Sequence, residues 1–204
     1  MNKQVIIIGN GGHAKVIADI VKQNGDLIKG FIVDQEFDKT NVLGINYLGD
    51  FTACNKYKSN CEFIIAIGDN TLREKYAKSL DVKWYTGIHP RSTIDITAKI
   101  GIGTCVMANA VLNSCAIVGN HCIINTGSIV EHDVRIGDFT HLSPNATICG
   151  FSSLGNKVHV GVAATIINKI DVTNNVVIGA GSCVIKSIDQ EGTYVGIPAM
   201  RVKK

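Results

Sequence analysis

Three groups of residues in this sequence have types and spacings suited to chemistry. Gly9-Asn10-Gly11-Gly12-His13-Ala14 fits G-x-G-x-x-A through Gly9, Gly11 and Ala14, and an acid, Asp34, lies about 20 residues beyond the turn. Glycines let a backbone approach a phosphate closely, and a helix beginning there supplies N–H groups and the positive end of its dipole. The turn therefore points to nucleotide or phosphate binding, with His13 at the mouth of the helix; a tight turn without a ligand is the alternative. In Glu131-His132-Asp133, carboxylates flank an imidazole. A flanking carboxylate orients the ring and stabilises its cationic form, which suits a general base working near neutral pH. A solvated surface histidine is the alternative there. His121, His141 and His159 make up the third group.

The elements that must position the turn are legible around it. Residues 4–8 are a β-branched run, as expected of a strand buried on both faces of a parallel sheet. A helix is expected over 13–22, with Val16, Ile17, Ile20 and Val21 on one face and Asn24-Gly25 as its stop. A second strand is expected over 27–33 and another over 61–67, followed by Gly68-Asp69-Asn70 and a polar helix over 71–79. Residues 84–88 read as a last strand, closed by His89-Pro90. A full dinucleotide fold needs two mononucleotide-binding halves, and this region holds only one. That counts against an NAD-dependent dehydrogenase and for a half-site holding a single nucleotide.

From Ile94 the pattern changes. Every sixth residue from Ile94 through Val184 is Ile, Leu or Val, sixteen times in succession. With about a third of the segment aliphatic, chance gives this on the order of once in ten million. The residue four places after each aliphatic is usually small, as at Ala98, Thr104, Ala110 and Ser128. A six-residue period is the hexapeptide signature of a parallel β-helix, a prism whose aliphatics point to the axis. Three such sides make an 18-residue coil, so His141 should stack on His159, and Asn125 on Ser143, at the same outer edge. A narrow axis also accounts for the aromatic scarcity: only Phe139 and Phe151 lie between Ile94 and Ile188. The expected organisation is an α/β Rossmann-like half-domain over 1–90 and a β-helix over 91–204.

Composition removes other classes. Apolar residues are 46% and charged ones 18%, which excludes a disordered chain. Mean hydropathy is +0.20, yet no apolar run approaches the ~20 residues of a spanning helix, so no membrane partner is expected. The net charge of +3 is scattered, which argues against nucleic acid. Seven cysteines without a C-x-x-C pair argue against disulfides and a zinc knuckle. The apolar stretch at the N-terminus is too short for a signal peptide, so a cytoplasmic location is expected.

The β-helix, ending in Tyr194-Val195-Gly196-Ile197-Pro198-Ala199, resembles the left-handed hexapeptide acyltransferases. Its pairing with the Gly-Asn-Gly-Gly-His-Ala turn is similar to a narrower group of bacterial sugar acetyltransferases. That group includes NeuD-like sialic acid O-acetyltransferases and N-acetyltransferases of UDP-4-amino-4,6-dideoxy sugars. The segment Ile123-Ile124-Asn125-Thr126-Gly127-Ser128-Ile129-Val130-Glu131-His132-Asp133 and the later His141-Leu142-Ser143-Pro144 match it.

The resemblance implies a left-handed coil, a homotrimer with active sites between subunits, and acetyl-CoA as donor without a metal. It implies His132 as general base tuned by Asp133, and His141, Val162 and Ala180 along the acetyl-CoA. Gly11, Gly12, His13, Asp34, Gln35 and Gly68 would hold a nucleotide sugar, with Asn125 near the acceptor. The group often has two acids where Asp34-Gln35 stands, a departure that bears on base recognition. The expected reaction is N-acetylation of a nucleotide-linked 4-amino-4,6-dideoxy sugar, UDP-linked for preference, serving glycan, capsule or exopolysaccharide synthesis. O-acetylation of sialic acid or another sugar hydroxyl is the alternative. A γ-carbonic-anhydrase-type metal enzyme would need a His-x-x-x-x-His spacing that is missing from this sequence. A non-catalytic nucleotide-sensing scaffold is the remaining reading.

Overall fold

The computed structural model describes residues 2–34 and 44–202. Its first part is β1 (Gln4–Ile8), α1 (Gly12–Gln23), β2 (Leu27–Ile32), β3 (Tyr47–Gly49), α2 (Cys54–Tyr57), β4 (Glu62–Ile65) and α3 (Asn70–Ser79). The strands form a parallel sheet in the order β3-β2-β1-β4, that of a mononucleotide-binding half. Val5 and Ile7 pack against Ile17, Ile20 and Val21 of α1, while Ile6 and Ile8 face Phe63 and Tyr76 on the other side. Burial on both faces is why β1 reads as an unbroken apolar run. Helix α1 stops at Asn24, and Gly25 takes φ +74.

The expected strand at 84–88 divides in two. Trp84 makes one parallel bridge to Phe63, whereas Gly87–Ile88 (β5) pairs with Cys105–Val106 as the first rung of the β-helix. The reason is frame: Ile88 lies six residues before Ile94, and its side chain packs against the prism core.

The prism has three faces. The first begins at β5 and carries Ile123, His141 and His159; the second runs from Thr93–Ile94 to Cys183–Val184; the third from Lys99–Ile100 to Asp171–Val172. Pairs such as Ile123 with His141 and His141 with His159 lie 18 residues apart, one coil. The periodic aliphatics from Val106 to Val184 are buried in one core, with Ile94 and Ile100 partly covered at its start.

Each corner needs a backbone feature the aliphatic period does not announce. Fourteen residues at six-residue steps from Gly103 to Gly181 lie in the left-handed region, with φ between +51 and +70. Only Gly103, Gly127 and Gly181 of them are glycine; bulky His121, Phe139 and Phe151 accept the strain. Two ladders offset it. Asn120, Asp138, Asn156 and Asn174 each accept a backbone N–H from the coil before, at 2.6 to 3.0 Å. Thr104 Oγ1, Thr140 Oγ1 and Ser152 Oγ accept backbone amides at 3.0 to 3.1 Å, which explains the small polar residues at those places.

Candidate active site

The Gly-rich turn follows β1 and meets the end of β4, the point where the strand order reverses and ligands bind in such sheets. A Cβ on Gly9 would come within 2.9 Å of the Ala66 carbonyl, and Gly9 takes φ +114, so only glycine fits. Gly11 is the N-cap of α1 and has no side chain to cap the first turn, so the positive end of the helix faces the turn without a side-chain acceptor from this residue. A cavity of about 290 Å³ opens here, lined by Gly11, Gly12, His13, Asp34 and Gly68. Five of the residues assigned to nucleotide-sugar binding thus meet in one pocket. Gln35 lies outside the described residues. Phe51 and Tyr76 also line the cavity, edge to face with centroids 4.5 Å apart, and Tyr76 Oη donates to Asp34 Oδ2 at 3.4 Å. Neither follows from a sequence motif.

Behind the cavity floor lies Arg73, which the sequence hides as one cation in a polar helix. It is 1% exposed, and all five of its N–H donors are used. Nε donates to the His121 carbonyl at 2.7 Å and Nη1 to the Ile67 and Gly68 carbonyls at 2.9 and 3.1 Å. Nη2 donates to Asn70 Oδ1 at 2.6 Å and to the Phe139 carbonyl at 2.7 Å. His121 and Phe139 are left-handed corner residues one coil apart, so their carbonyls are presented on the same edge of the prism. Asn70 Nδ2 reaches the Lys157 carbonyl on the next coil at 3.2 Å, and Lys157 Nζ pairs with Glu74 at 2.8 Å. Helix α3 thereby fixes the pocket floor to the β-helix. Burial lowers the guanidinium to about 10, still cationic at neutral pH.

His13 and His141 sit within this field. Burial and then Arg73 lower His13 to about 4; burial, His159 and then Arg73 lower His141 to about 3. Both rings are neutral at pH 7. Asn125 Oδ1 accepts the Thr126 N–H at 2.8 Å, so its Nδ2 faces His141 Nε2 at 3.3 Å. His141 Nε2 is therefore the acceptor, and the proton sits on Nδ1. His141 stacks on His159 with centroids 4.8 Å apart and planes 19° off parallel, and Ser143 Oγ meets His159 Nε2 at 3.0 Å. The 18-residue stacking read from the sequence is present.

His132 stands on another corner, between the second and third faces. Its Nδ1 lies 3.0 Å from Asp133 Oδ2, and the ring is half exposed. Asp133 is a left-handed residue at φ +60, which sets its carboxylate beside the preceding imidazole. Asp133 lines a second cavity along the third face, of about 550 Å³, which shares no residue with the nucleotide-type pocket. Within one chain the second face separates His132 from Asn125 and His141. Val162 and Ala180 lie exposed, 18 residues apart on the corner between the first and second faces, next to Gly161 and Gly179.

Among the described residues, no group of three or more His, Cys, Asp or Glu could hold a metal ion, and no helix is long and apolar enough to cross a membrane. Residues 4–80 match the PglD N-terminal domain family. Over 113 residues the chain is 39% identical to UDP-N-acetylbacillosamine N-acetyltransferase of Bacillus subtilis, a stretch covering 52% of each protein. The chain thus spans about half the length of that curated relative. Nearly the whole chain superposes on perosamine N-acetyltransferase from Caulobacter crescentus, solved as a histidine-to-asparagine mutant with CoA and GDP-perosamine. The TM-score is 0.94, identity is 30%, and 98% of this chain and 97% of that one are covered. The acetyltransferase domain of PglB from Neisseria gonorrhoeae, in complex with acetyl coenzyme A, gives a TM-score of 0.91 at 29% identity, covering 99% of this chain and 100% of that domain. Fold and pocket define a left-handed hexapeptide β-helix protein of the acyltransferase class, headed by a nucleotide-type half-domain. The chain belongs to the bacterial sugar acetyltransferase family in which these two parts are combined.

Proposed function

We propose that this protein transfers an acetyl group from acetyl-CoA to the amino group of a nucleotide-linked 4-amino-4,6-dideoxy sugar in the cytoplasm, for glycan, capsule or exopolysaccharide synthesis. The observation that carries this reading is the cavity built by the Gly9–His13 turn and Gly68, with His141 of the β-helix near enough for His13 to join burial, His159 and Arg73 in lowering its protonation. A sugar whose nucleotide is held at the turn would extend toward the prism. The solved relatives with bound CoA support acetyl-CoA as donor.

His132 is the general base. With Nδ1 bonded to Asp133, Nε2 takes the proton of the attacking amine. The nitrogen adds to the thioester carbonyl, the C–S bond breaks, and CoA leaves as a thiolate that receives the proton from His132. Val162 and Ala180 line the pantetheine path with His141 at its end, and Asn125 lies by the acceptor. Gly11, Gly12, His13, Asp34 and Gly68 hold the nucleotide sugar, with Gln35 completing base recognition.

The same reading takes the protein as a homotrimer, and the chemistry of the prism faces supports it. The outward residues of the second face (Thr93, Val111, Ile129, Thr147, Thr165 and Cys183) carry no charge, whereas the third face presents Lys99, Arg135 and Asp171. Packing second faces about a three-fold axis would set His132 of one chain toward the Asn125–His141 corner of the next. Incubation with labelled acetyl-CoA and UDP-4-amino-4,6-dideoxy-GlcNAc, GDP-perosamine or sialic acid tests the acceptor. An alkali-stable amide on a nucleotide sugar is expected; an alkali-labile ester on sialic acid would replace this reading by O-acetylation. His132→Ala should lose orders of magnitude in kcat while still binding CoA.

A further inference from the structure

Gly150 is glycine for a reason other than its own backbone. It has no left-handed φ, so its conformation admits any L-residue, and it is buried at the corner one coil beyond His132. Yet a Cβ placed there would lie 2.7 Å from His132 Cε1 and 2.8 Å from Nε2, closer than real side chains approach. The imidazole lies over the bare Cα of Gly150. Phe151, the left-handed residue that follows, turns its ring edge-on to the same imidazole, with centroids 5.1 Å apart and planes at 83°. The Phe151 N–H also donates to the His132 carbonyl at 3.2 Å, tying the two coils together at this point.

We propose that Gly150 is a positioning residue: its missing side chain is the seat for the His132 imidazole, with the Phe151 ring as the side wall and Asp133 as the polar stop. This rests on the reading of His132 as general base. Asp133 fixes which nitrogen carries the proton, but one hydrogen bond leaves the ring free to swing about it. The bare Cα and the aromatic edge remove that freedom, so Nε2 is held where the acceptor amine arrives. Misplacing a catalytic group by about 1 Å costs on the order of 100-fold in rate.

Gly150→Ala adds one methyl group while keeping the backbone N–H and an allowed φ. The expected result is a folded protein whose kcat falls about 10- to 100-fold, with KM for acetyl-CoA and for the nucleotide sugar within about threefold of the parent. The ring-proton NMR signals of His132, assigned by their loss in His132→Ala, should shift. Should Gly150→Ala fail to fold, Phe151→Asn decides instead, because asparagine tolerates the left-handed conformation and only the ring wall is lost; a fall in kcat at unchanged KM is again expected. Parent-like kcat and unmoved His132 signals in a folded variant would overturn the seat. Full activity in His132→Ala would instead overturn the general-base reading, so the two failures are distinguishable.

Discussion

Arg73 Nη1 donates to the carbonyl of Gly68 at 3.1 Å, so the floor of the nucleotide-type pocket hangs from a buried cation whose other donors hold the prism. Arg73→Met would leave the Ile67, Gly68, His121 and Phe139 carbonyls without this donor, the last two at buried bonds. Hydrogen bonds to charged groups are worth about 1.5–3 kcal/mol each, and orphaned buried acceptors about 1–3. We expect a loss of roughly 4 kcal/mol in urea unfolding, with Arg73→Lys recovering part of it, since a three-donor ammonium cannot replace a five-donor fork. A change below about 1 kcal/mol would show that the carbonyls find other donors.

The same arginine shows where sequence reading stops. The aliphatic at every sixth residue, sustained through sixteen repeats with a small residue four places on, is the repeat of a parallel β-helix, and the turn after β1 is marked by its glycines. Both features are local and repetitive. Arg73 has neither property: four of its five acceptors are backbone carbonyls, at 67, 68, 121 and 139, which no side-chain pattern records. The corners are half-visible for a related reason. Asn109, Asn145 and Asn175 suit left-handed backbone, whereas Phe139 and Lys169 do not, so tertiary pairing overrides preference there. His132 was legible as a base candidate by its acidic neighbours, while its seat on Gly150 appears only once coils are stacked.

Buried neutral histidines make stability depend on pH. His121 stacks on Phe139 at 5.3 Å and meets Trp84 edge-on at 4.8 Å; burial and Arg73 lower it from 6.5 to about 4. Between those values the unfolded chain binds a proton that the folded chain does not, so stability is present above pH 6.5 and is lost as pH falls toward 4. His121 alone accounts for about 3 kcal/mol over the full window, from 1.36 kcal/mol per unit. His13 and His141 act in the same direction. Denaturant midpoints measured between pH 7 and pH 5 should decline, and more shallowly in His121→Asn. Equal slopes for the two proteins would remove His121 from this role.

Asp133→Asn keeps the shape and offers Nδ1 of His132 an amide instead of a carboxylate. On the proposed mechanism, the imidazolium formed during proton transfer would then lack its counter-charge. A fall in kcat of about 10- to 100-fold at unchanged KM is expected from steady-state kinetics. A raised KM with unchanged kcat would place Asp133 in binding instead.

Lys169 tests the corner strain by itself. It is exposed, its φ is +59, and its amide donates to the Gly150 carbonyl at 3.0 Å, a bond any residue but proline can make. A lysine pays for left-handed backbone about 1–2 kcal/mol, and asparagine less, because its short amide bonds locally. Lys169→Asn should therefore stabilise the protein by about 0.5–1 kcal/mol, raising Tm by roughly 1–4 °C for a chain of this size. Lys169→Gly relieves the same strain but loses more backbone entropy on folding, so its gain should be smaller. Lys157 supplies the control. It has φ +57, but its Nζ pairs with Glu74 at 2.8 Å. Lys157→Asn gives up that ion pair across the domain junction while relieving equal strain, so its net effect should fall below that of Lys169→Asn by about 0.5 kcal/mol. If both substitutions lower Tm, the corners are held by side-chain packing instead of being tolerated as strain.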